Sequence, residues 1–125
     1  MGTLDVGKRM VEMVNQGRVG EEAFVKAFYS ENIISIEGQG SEDMPMRMEG
    51  IAAIHGKHAW WYDNNTVHGV TVEGPFVGHR PDQFVLRLEM DITPNNGARM
   101  TMTEVGLYTV ASEKVVQEEY LYLMG

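Results

Sequence analysis

The chain has 125 residues, 43% hydrophobic and 22% charged, with a net charge of -8. This length and composition fit one folded globular domain, residues 1–125, and exclude disordered and fibrous classes. Ten basic residues scattered among eighteen acidic ones offer no phosphate-binding surface, which argues against nucleic acid, and the lack of cysteine excludes disulfides, thiol nucleophiles and thiolate metal sites.

The opening stretch MGTLDVGKRMVEMV mixes an Asp and two basic residues among its apolar ones, unlike a signal peptide, and no run approaches the length of a membrane span. A cytoplasmic protein without membrane partners is the expectation. From Leu4 to Gln16, Val6, Met10, Met13 and Val14 recur at helical spacing up to Gly17, which predicts a first helix. Glu21 to Tyr29 predicts a second, with acids at its positive end and Ala23, Phe24, Ala27 and Phe28 on one stripe. NIISIEGQG then changes to a β-branched strand signal, and PMRMEG predicts a short returning strand. GIAAIHGKHAWWYDNN returns to helical period through Ile51, Ile54, His58 and Trp61.

After this third helix the period stays at two. TVHGVTVEGPFVG, DQFVLRLEMDIT, ARMTMTEVGLYTV and KVVQEEYLYLM predict four long strands joined by the short turns HRPD, PNNG and ASE. The fold class is therefore α+β, helices on one face of a curved antiparallel meander.

Alternation assigns faces. In MTMTEVGLYTV, Met100, Met102, Glu104, Gly106, Tyr108 and Val110 share one face, so a carboxylate lies among apolar neighbours. A charge there needs a partner, a proton or a use. His68 falls by parity with Val70, Val72 and Phe76, where it could protonate a substrate or hold Glu104; the plainer reading is a satisfied core histidine. His55 and His58, at i and i+3, could chelate a metal, but no third ligand is indicated and no metal site is expected. Trp60, Trp61 and Tyr62 cannot all face inward, so one tryptophan is expected to line a pocket, either stacking on a flat ligand or sealing the helix against the sheet. Arg87, Glu89 and Asp91 alternate with Phe84, Leu86, Leu88 and Met90 and read as outer-face charges.

The element order, with AFYSENIISIEG, MEGIAAIHGKHAWW, VHGVTVEGPFV, MTEVGLYTV and KVVQEEYLY, resembles the SnoaL-like and ketosteroid-isomerase-like branch of the nuclear-transport-factor-2-like superfamily over nearly the whole chain. The resemblance implies a cone-like fold, three N-terminal helices packed on a strongly bent antiparallel sheet that encloses a pocket, in a homodimer. It also implies Glu37 at the position of the isomerase base and Glu104 nearest its oxyanion-hole acid. The isomerase's tyrosine donor on the first helix has no counterpart, since no tyrosine occurs before Tyr29.

Two functions follow as expectations. One is a cofactor-free enzyme, an isomerase, polyketide cyclase or hydrolase, acting on a small hydrophobic carbonyl or polyketide-like compound. Glu37 or His68 would be its base and Glu104 its donor, with Trp60, Trp61, Met90, Met102 and Tyr108 holding the ligand. The other is a non-catalytic module that binds a hydrophobic small ligand.

Overall fold

The computed structural model describes residues 1–40 and 44–122. Helices α1 (Thr3–Val14) and α2 (Arg18–Phe28) come first, then strands β1 (Tyr29–Ile36) and β2 (Arg47–Glu49), helix α3 (Ile51–Asn64), and strands β3 (Asn65–Phe76), β4 (Gln83–Pro94), β5 (Met100–Ala111) and β6 (Lys114–Leu121). The helices are thus interspersed rather than all N-terminal, because β1 and β2 precede α3. One six-stranded sheet has the order β2-β1-β6-β5-β4-β3. It is not wholly antiparallel: β1 lies parallel to β6, the last strand of the β3–β6 meander.

The second helix starts at Arg18, ahead of the expected Glu21, and β1 starts at Tyr29, where the stripe of α2 ends. Gly17 opens α2 at φ 90°, a left-handed conformation that favours glycine. Gly20 permits the tight α1–α2 corner, since a Cβ there would lie 1.9 Å from the Met13 carbonyl oxygen.

Strict alternation in β4 buries Phe84, Leu86, Leu88, Met90 and Ile92 against the helices. Val6, Met10 and Val14 of α1 and Phe24 and Val25 of α2 supply the facing side of the core. The end of α1 is pinned to β3 by a reciprocal pair: the Asn15 amide donates to the Val72 carbonyl (3.1 Å), and the Val72 N–H donates to Asn15 Oδ1 (2.9 Å). On the outer face Arg87 pairs with Glu73 (2.9 Å) and Glu89 (3.3 Å), and Arg99 with Asp91 (2.8 Å). No described helix is long and apolar enough to cross a membrane.

Candidate functional site

Between α3, the ends of α1 and α2, and the concave face of the sheet lies a cavity of about 390 Å³. Val70, Leu88, Met90 and Met102 make its apolar floor, and Trp60, Trp61 and Tyr62 of α3 its wall. Both tryptophans border it rather than one. Trp61 is half-buried, while Trp60, one helical position away, is 44% exposed.

Glu37 continues the inward parity of Ile33 and Ser35 just past the end of β1, and its N–H donates to the Met46 carbonyl (2.8 Å). Its carboxylate forms a close ion pair with the Lys57 ammonium. Lys57 also donates to Ser35 Oγ (2.8 Å) and Glu118 Oε2 (2.9 Å), and its Nζ lies 4.5 Å from the centre of the Tyr120 ring. Glu118, with no exposed surface, accepts in addition from Ser35 (2.6 Å), from Tyr120 (3.1 Å) and, in a short bond, from Tyr29. Burial alone would raise the Glu118 carboxyl; Lys57, Ser35 and Tyr29 outweigh it and hold the group below the usual carboxylate range. Burial alone would likewise lower the Lys57 ammonium, and Glu118 and Glu37 together keep it raised.

Glu104 sits opposite Leu88 on the floor of the cavity. Burial first, and then the Glu37 charge, push its carboxyl up to about 7, with Lys57 pulling the other way. The cavity therefore presents one carboxylate locked to a cation and one acid able to change protonation near neutrality.

His68 is elsewhere. A β-bulge separates the pairs Val67↔Ile92 and Gly69↔Asp91, so parity reverses there and His68 becomes the extra residue. It is exposed, 2.7 Å from Thr93 Oγ1, and cannot serve this cavity as base. Tyr108 shares the inner face with Glu104 but lies beneath the floor: fully buried, stacked on Phe84 with ring centres 5.1 Å apart, its hydroxyl 3.3 Å from that of Tyr120. Gly106 makes room for it, since a Cβ there would fall 2.5 Å from the Tyr108 hydroxyl. His55 and His58 do not converge: His58 Nδ1 faces Glu21 Oε1 at 3.6 Å while His55 is exposed. Among the described residues no cluster suited to a metal ion occurs.

Lys57 and Glu118 are the members that sequence reasoning missed. Both carried a signal: Lys57 stands three residues after Ile54 and four before Trp61 on the buried stripe, and in the doublet Glu118-Glu119 alternation obliges one acid to face inward beside Tyr120.

The profile of the SnoaL-like domain matches residues 1–122. A Mesorhizobium loti crystal structure provisionally named a SnoaL-like polyketide cyclase is 36% identical and superposes with a TM-score of 0.87, covering 98% of this chain and 100% of that one. A Pseudomonas putida KT2440 protein provisionally named a polyketide cyclase shares the fold at 14% identity and TM-score 0.71, with 99% and 93% covered. TerC, co-crystallised with polyporic acid, does so at 13% identity and TM-score 0.72, with 97% and 91% covered. No functionally curated protein matches the chain. With its profile matched over 122 residues and its three helices folded against one curved sheet, the chain belongs to the SnoaL-like domain family.

Proposed function

We propose that the chain is an enzyme that moves a proton on a small hydrophobic carbonyl or polyketide-like compound without a cofactor. The observation that carries this reading is the pair of carboxylates, Glu37 and Glu104, lining one apolar cavity in opposite electrostatic settings. Glu104 in its acid form donates to the carbonyl oxygen and stabilises the enolate as charge develops. Glu37 accepts the proton from the adjacent carbon. As Glu37 becomes neutral, Glu118 retains the Lys57 ammonium, so the cation is never left buried and unpaired.

Solvent deuterium exchange into 2-tetralone, a flat ketone with acidic α-hydrogens, tests this directly. The protein should accelerate exchange, the rate should fall as pH rises through about 7, and Glu37→Gln should abolish it. Exchange at the buffer rate would count against catalysis.

One observation favours a second reading, a binding module. The Glu37 carboxylate is already held by Lys57, which suits orienting a ligand as well as removing its proton. Saturable binding of 2-tetralone with no exchange would decide for it.

A further inference from the structure

Lys57 is the only lysine or arginine among the described residues lining the cavity, and all of its donors are spent. Its three ammonium hydrogens meet three acceptors: a Glu37 oxygen, Ser35 Oγ at 2.8 Å and Glu118 Oε2 at 2.9 Å. Against this one cation stand Glu37 at the end of β1 and Glu118 on β6, which already leave the balance negative. Glu104 on β5 and Glu21 on α2 add further carboxyl groups to the lining. On α3, His58 turns Nδ1 toward Glu21 Oε1 at 3.6 Å rather than into the cavity's open space. Arg18 lies outside the lining, over the Tyr62 ring at 4.2 Å and bonded to Glu22 at 3.1 Å. The remaining titratable groups of the lining, Tyr62, Tyr120 and Tyr122, are phenols whose ionisation is disfavoured by burial.

Resting on the same cavity as the proton-transfer reading, we propose that the site selects its ligand by charge: a flat apolar compound carrying a protonated amine binds best, its neutral counterpart less well, and its carboxylate counterpart is refused. An anion entering here loses its hydration and finds no free cationic donor. An ammonium finds carboxylates to pair with and an aromatic wall of Trp60, Trp61 and Tyr62 that attracts cations. The substrate class this implies is an amine-bearing aromatic carbonyl compound rather than a free acid.

Isothermal titration calorimetry at pH 8, above the Glu104 value of about 7, with 2-naphthylmethylamine, 2-naphthylmethanol and 2-naphthoate compares the three charges on one ring system. The amine should bind roughly tenfold tighter than the alcohol, and the naphthoate roughly tenfold weaker. In Glu104→Gln the advantage of the amine over the alcohol should shrink, because the substitution removes a negative charge that only the ammonium pairs with. Should that variant not fold, Glu21→Gln is expected to narrow the same gap. Naphthoate binding as tightly as the amine, or no binding by any of the three, overturns the inference. The titration reads affinity without turnover. Loss of deuterium exchange therefore leaves the charge order standing, and a flat charge order leaves the proton-transfer reading standing.

Discussion

The Lys57 ammonium on α3 lies 2.9 Å from the Glu118 carboxylate on β6, and Glu118 has no exposed surface. The pair joins the helix to the sheet beside the cavity, and Lys57 also holds Glu37, the third member of the chain of charges. Lys57→Met should destabilise the domain by about 3–5 kcal/mol, because it leaves Glu118 buried and uncompensated. Urea unfolding at pH 7 measures this; a change below about 1 kcal/mol would mean that the pair is solvated in solution. The pH dependence has a definite sign. The folded Glu118 value lies below the unfolded one near 4.5, so its stabilising contribution is present above that value and is lost as pH falls through the folded one. Acid titration of stability should show a loss below about pH 4.5 that is reduced in Glu118→Gln.

Glu104 titrates with the opposite sign. Its folded value of about 7 exceeds the unfolded 4.5, so its contribution is fully present below pH 4.5 and is lost as pH rises through about 7. Relative to the parent, Glu104→Gln should gain up to about 3 kcal/mol in stability between pH 4.5 and 8, measured by paired urea melts across that range. A stability difference independent of pH would show that Glu104 is solvated.

Gly20→Ala places a methyl group against the Met13 carbonyl oxygen, where a Cβ would lie at 1.9 Å. Because the obstacle is backbone, the α1–α2 corner must move, and a loss of about 1–3 kcal/mol is expected in thermal or urea unfolding. Gly56→Ala, at a helix position with nothing within 4 Å of the added methyl, should instead gain about 0.5–1 kcal/mol.

On the outer face of the sheet Thr101 lies opposite Asp91, Thr103 opposite Glu89, and Val105 between Arg87 and the exposed Leu121. A homodimer built on this face is the expected state, and light scattering at tens of micromolar protein checks it. A monomer at that concentration would leave the face as an ordinary solvated surface.

The element types were legible in the sequence because each depends on local periodicity. The alternation of Phe84 to Met90, the helical stripe from Ile51 to Trp61 and the inward Glu104 all follow from where successive side chains point. The bulge at His68 was not legible. One extra residue reverses a strand's parity, and it is the pairing of β3 with β4, not the sequence of β3, that fixes where the ladder slips. The parallel join of β1 to β6 also lay beyond local pattern, and it is this join that brings Ser35 and Glu37 beside Glu118, more than eighty residues later in the chain. The sequence by itself thus determined the elements, the buried face of β4 and the carboxylate on β5. Only the tertiary structure decided that Lys57 is shared between Glu37 and the buried Glu118 while Glu104 pairs with no cation among the described residues, because electrostatic pairing depends on distances of a few ångströms that no periodicity encodes.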